Sequence, residues 1–134
     1  MSTQIFVNLP VRDLAASIDF FKRLGFGFNN QFTDETAACM VIGDNIYAML
    51  LTHPKFQTFT SNPICDARKS TEVLVCLSRD SREAVDQMVK QAVAAGGNTY
   101  TESKDHGFMY QHGFQDLDGH IWELIHMSPE APQA

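Results

Sequence analysis

One order of elements occurs twice along this chain: strand, helix, strand, strand, strand. Residues 5–9 form a short apolar run with β-branched and aromatic members, closed by Pro10, and read as a strand. Asp13 is placed to cap a helix whose apolar positions include Leu14, Ile18 and Phe21, and Leu24-Gly25 stops it. Three β-like stretches follow at 26–32, 37–42 and 46–52, the last two joined by the turn Gly43-Asp44-Asn45. A polar connector with Pro54 and Pro63 spans 53–71.

The order then restarts. Residues 73–77 predict a strand, and Asp80 with Glu83 has the cap-and-N3 pattern of a second helix. Val85, Met88, Val89 and Ala92 form that helix's apolar face, and Gly96-Gly97 ends it. Strands are expected at 99–101, 108–114 and 120–127, with Asp116-Leu117-Asp118-Gly119 as the last turn. The Pro- and Ala-rich tail 128–134 is expected to fray. Each unit alone leaves one sheet face uncovered by its helix. Two units can cover each other's concave faces and leave a cavity between them. The expected fold is therefore α+β: two β-α-β-β-β modules, about 4–52 and 72–127, whose curled mixed sheets surround a cavity in one domain of 134 residues.

The bulk numbers narrow the partners. With 44% hydrophobic and 19% charged residues, the chain can bury a core. A net charge of -6, with Lys and Arg scattered, argues against nucleic acid and against an anionic membrane surface. No apolar run approaches the roughly 20 residues of a bilayer span, and no signal peptide is evident. Cys39, Cys65 and Cys76 are odd in number and contain no C-x-x-C, which fits free thiols in a reducing, cytoplasmic setting.

Two motifs carry a family likeness: V-R-D-L-x-x-S-I-D-F-F-x-x-L-G-F at 11–26 and D-L-D-G-H-I-W-E-L at 116–124. With the element order, they make the chain resemble the vicinal oxygen chelate superfamily: glyoxalase I, bleomycin-resistance proteins, fosfomycin-resistance enzymes and extradiol dioxygenases. The likeness runs from Ile5 to Met127. It implies the two-module fold, a homodimer and a small-molecule ligand, and it leaves the chemistry open.

Metal-using members place ligands, commonly His, Gln or Glu, at four cavity-facing strand positions. The resemblance puts Glu123 at the fourth. The first falls on Phe6, with Asn8 on the same face; the second falls near Leu50; the third falls near Leu74, with Glu72 one pleat away. Phe and Leu offer no lone pair, and catalytic zinc needs about three protein ligands. A glyoxalase I-type metal site is therefore disfavoured, and the cofactor stays unassigned.

The histidines offer a second route. If Gln115 pairs with His120 across the last turn, His112 lies opposite Glu123, and both face the cavity as an acid–base couple, a metal-binding pair or a structural hydrogen bond. Tyr110 shares the parity of His112 and would also line the cavity, whereas His120 and His126 face the other way. His53 and His106 sit in loops. Two functions follow. One is a glyoxalase-like enzyme, a lyase or isomerase of the lactoylglutathione lyase type or a dioxygenase relative, with Glu123 and His112 catalytic. The other is a metal-free protein that sequesters a small aromatic or cationic compound.

Overall fold

The structure, a computed structural model, describes residues 2–132. It divides between Cys65 and Asp66 into two compact units, each carrying a four-stranded mixed sheet with a helix.

The first unit contains β1 (Ile5–Val11), α1 (Leu14–Arg23), β2 (Gly27–Asn29), β3 (Ala37–Gly43), β4 (Ile46–Thr52) and the short α2 (His53–Phe56). Its strand order is β1-β4-β3-β2, with β1 parallel to β4 and the other pairs antiparallel. The second contains β5 (Val75–Ser78), α3 (Arg82–Ala94), β6 (Lys104–Asp105), β7 (Met109–Gln115) and β8 (Ile121–Met127). Its order, β5-β8-β7-β6, repeats the first unit's, again with one parallel pair, β5 with β8. Neither sheet closes into a barrel.

Local chemistry accounts for most of these boundaries. The Asp13 side chain accepts from the Ala16 N–H at 3.0 Å and starts α1 as expected. β1 continues through Pro10 to Val11, because it is an edge strand, where proline's missing N–H removes no ladder bond. The stretch expected as a strand over 26–32 is β2 followed by a 3-10 turn at Asn30–Phe32, since the Asn29 side chain accepts from the Gln31 N–H. In the connector, the Thr52 hydroxyl accepts from Lys55 and caps α2, with Pro54 in its first turn. β5 starts at Val75, two residues later than expected. The cap of α3 is Ser81 rather than Asp80: its Oγ accepts from Ala84 N at 3.0 Å.

The expected strand at 99–101 is absent. Only Asn98 bridges to Gln115, and the chain leaves the sheet until β6. There the Thr99 hydroxyl donates to the Thr101 and Gly113 carbonyls and takes over the role of ladder bonds. In the tail, Ala131 is buried and bonded to the Ser128 carbonyl, so this part is docked rather than frayed. Gln133 and Ala134, covered by the same expectation, lie outside the described residues.

The D-L-D-G-H-I-W motif builds the last turn. The buried Asp116 carboxylate accepts from the Asp118 and His120 N–H groups through Oδ1 and from Trp122 Nε1 through Oδ2, each at 3.0 Å. Gly119 sits at φ +90°, and a Cβ there would lie 2.7 Å from Arg68 Cγ and 2.9 Å from Arg68 N. Glycine is required on both counts.

Candidate functional site

In the second sheet, strand pairing assigns each side chain to a face. β7 and β8 pair Gln115 with Ile121, His112 with Leu124 and Gly113 with Glu123. This is one residue away from the expected Gln115–His120 pairing. A one-residue slip in pairing exchanges faces for one strand relative to the other. One face carries Tyr110, His112, Phe114, Trp122 and Leu124. It packs under α3 through Val85, Met88, Val89 and Ala92, with Phe114 and Trp122 stacked 6.3 Å apart and fully buried.

His112 and Tyr110 therefore do not stand beside Glu123 as the sequence suggested. Tyr110 Oη donates to Asp86 on α3 at 2.6 Å, and the Arg82 guanidinium lies 5.2 Å over its ring. His112 borders the pocket described below, yet alternation turns its side chain to the helix face, where Nδ1 is buried without a hydrogen-bond partner.

The opposite face holds the polar cluster. Glu123 lies between Cys76 on β5 and Gly113 on β7. Gln111 Nε2 donates to Glu123 Oε2 at 3.0 Å. Tyr100 lies over Gly113: a Cβ added there would strike the Tyr100 hydroxyl. The lack of a side chain at Gly113 is thus what lets the phenol approach the sheet. Partial desolvation, then the Glu123 charge, push the Cys76 thiol above its usual range. Desolvation first, then Glu123 and Cys76, raise the Tyr100 phenol in the same way. These groups adjoin a pocket of about 300 Å³, lined by Tyr100, Glu102, Lys104, Gln111 and Glu123 among others. Two carboxylates and one ammonium give it an acidic balance.

Other candidate positions are placed differently. Phe6 and Asn8 share the face of the first sheet opposite α1, where Phe6 stacks on Tyr47 at 4.8 Å and Asn8 pairs with Met49. Leu50 pairs with Leu9 on the helix-covered side and is fully buried, so it is core; Met49 holds the open-face position expected for it. Glu72 and Leu74 are exposed and precede β5, and Cys76 is the residue that sits level with Glu123. Cys76, Gln111 and Tyr100 were not singled out as partners of Glu123 from sequence. The correct register would have found the first two; nothing local in the sequence places Tyr100. Among the described residues, no group of three or more His, Cys, Asp or Glu side chains could hold a metal ion.

A family model described as bleomycin resistance protein-like N-terminal matches residues 3–43. A hypothetical protein from S. aureus is 30% identical over 93% of this chain and 94% of that one, with a TM-score of 0.79. A glyoxalase-related enzyme from Fulvimarina pelagi matches 100% of this chain and 94% of its own at 18% identity and a TM-score of 0.81. A bleomycin resistance determinant encoded on transposon Tn5 matches 94% of this chain and 98% of its own at 23% identity and a TM-score of 0.64. The last two likenesses are of fold. No curated protein matches the sequence.

Proposed function

Because the chain belongs to the vicinal oxygen chelate superfamily of glyoxalases, bleomycin-resistance proteins and dioxygenases, we propose that it binds a small metabolite or drug-like cation against Glu123, without a glyoxalase I-type metal ion. The observation that carries this reading is the Glu123 carboxylate at a pocket of about 300 Å³ in the second module. Glu123 accepts from Gln111 through Oε2, so Oε1 is the oxygen offered to a ligand's donor. Tyr100 supplies an aromatic wall, and Glu102 adds a second negative charge.

The donor set is poor in the family's ligand types. Gln111 stands beside Glu123, but the other neighbours on that face are a thiol and a phenol, Phe6 stands at the opening ligand position, and among the described residues no group of three His, Cys, Asp or Glu side chains could hold a metal ion. Gln111 takes the place beside Glu123 that the sequence suggested for His112.

The proposal extends to self-association and a cytoplasmic setting. Ile5 and Ile46 on one face of the first sheet and Phe6 on the other expose apolar surface, and no disulfide joins Cys39, Cys65 or Cys76.

Benzylamine and its neutral analogue benzyl alcohol test the reading. Calorimetry and thermal shift should show wild-type protein binding the amine more tightly, with the preference lost in Glu123→Gln. Zn²⁺ and Ni²⁺ titrations run alongside. Stoichiometric metal binding that Glu123→Gln abolishes, or equal affinity for the amine and the alcohol, would overturn it.

A further inference from the structure

Glu123 is the end of a short hydrogen-bonded chain that begins outside the pocket. His106, at the exposed turn between β6 and β7, places Nε2 3.3 Å from Gln111 Oε1, and Gln111 Nε2 reaches Glu123 Oε2 at 3.0 Å. The polarity of the chain follows from its far end. A carboxylate only accepts, so Gln111 must turn its NH2 toward Glu123. That leaves the amide oxygen facing His106, and Nε2 of the imidazole must carry the proton.

The turn is itself held from both sides. His106 N donates to the Met109 carbonyl at 2.8 Å. The neighbouring Asp105 takes two hydrogen bonds from Arg82 on α3, at 2.6 and 3.2 Å, and a third from the Gly107 N–H at 2.9 Å. The imidazole is therefore anchored to the helix through the backbone of its own turn.

We propose that His106 is a positioning residue for the binding site: acting through the Gln111 amide, it holds Oε2 of Glu123 and leaves Oε1 as the oxygen presented to the ligand. His106 touches no ligand in this arrangement and is not among the residues lining the pocket. Without it, the Gln111 amide is free to rotate about its last bond, and Glu123 loses the donor that fixes its orientation.

The inference rests on the proposed binding role of Glu123 for its significance, but its test needs no ligand. Cys76 pairs directly with Glu123 and feels its charge, so the thiol reports where the carboxylate points. Iodoacetamide alkylation of Cys76 is followed in a Cys65→Ser background, because Cys65 is also exposed while Cys39 is buried. Rates are taken across alkaline pH for the parent, Glu123→Gln, Gln111→Leu, His106→Leu and His106→Gln. Gln at 106 can carry an N–H donor at about the reach of the imidazole Nε2, which Leu cannot.

Glu123→Gln should speed alkylation below the thiol pKa by roughly two- to fivefold, as removing a nearby negative charge raises the thiolate fraction. Gln111→Leu and His106→Leu should move the profile in the same direction, and His106→Gln should restore the parent profile. The side-chain ¹⁵N–H signals of Gln111 should be protected in the parent and His106→Gln, and exchange freely in His106→Leu. A His106→Leu profile that matches the parent overturns the proposal, as does His106→Gln behaving like His106→Leu. A profile unmoved by Glu123→Gln also overturns it, since Cys76 and Glu123 would then not be neighbours. Failure of benzylamine to bind would sink the ligand reading and leave these outcomes untouched.

Discussion

Gly113→Ala offers the sharpest check on the site, because one missing side chain brings Tyr100 and Glu123 together. An added Cβ would meet two obstacles: the Trp122 carbonyl oxygen at 2.9 Å and the Tyr100 ring, whose Cζ lies at 3.0 Å. The Tyr100 hydroxyl lies closer still, and the hydroxyl and the carbonyl are both nearer than real Cβ atoms come, so something must shift. The carbonyl belongs to the β7–β8 ladder and cannot retreat without disturbing it, whereas Tyr100 is partly exposed and can swing out. Overpacking of this kind typically costs about 1–3 kcal/mol. The backbone at 113 is outside the positive-φ region, so alanine also gains roughly 0.4–1 kcal/mol by restricting the unfolded chain. The net expectation is a loss of about 1–2 kcal/mol, read in urea as a lower midpoint at unchanged slope. Tyr100→Ala removes one obstacle and leaves the carbonyl. In the double variant, the alanine at 113 should therefore cost less, with a coupling of about 0.5–1 kcal/mol between the sites. Full stability of Gly113→Ala, or strict additivity with Tyr100→Ala, would falsify the placement of the phenol over Gly113.

Two further outcomes are expected. Leu50→Ala should cost about 2–5 kcal/mol as a fully buried core truncation. Phe6→Ala, at a half-exposed position stacked on Tyr47, should cost nearer about 1 kcal/mol, and the reverse order in urea melts would refute the face assignment of the first sheet. The second concerns pH. The Arg82 hydrogen bond, then the Gly107 N–H, hold the Asp105 carboxyl below its ordinary value of 3.8. A depressed folded value means the contribution is complete above the ordinary value and is lost as pH falls through the folded one. The Asp105 side-chain carboxyl ¹³C signal should titrate with a midpoint below 3.8 in the wild type, and with a higher midpoint in Arg82→Gln. A wild-type midpoint well above 3.8 would contradict the clamp.

How much could be read from the chain differs by level. The repeated order of elements was legible because apolar periodicity, the Asp13 cap and the turn glycines are local signals, and β4 falls on the expected residues. The misses have local causes too: Ser81 won the α3 cap from its neighbour Asp80, and the Thr99 hydroxyl dissolved an expected strand by bonding backbone carbonyls. Glu123 was legible as well, since its closing motif carries the family likeness.

What surrounds Glu123 was a matter of tertiary structure. A strand's side chains alternate with period two, so its faces follow from sequence only once the pairing register is known. Here the last turn sets that register through three N–H donors converging on the buried Asp116, one of them the Trp122 indole. The resulting pairing turned His112 and Tyr110 toward α3 and brought Gln111 to Glu123. Cys76 joined through a parallel strand 47 residues away in sequence, and Tyr100 through the empty space above Gly113. Amino-acid order determined two modules and one carboxylate. Register and close packing, which no single segment encodes, decided the company that carboxylate keeps.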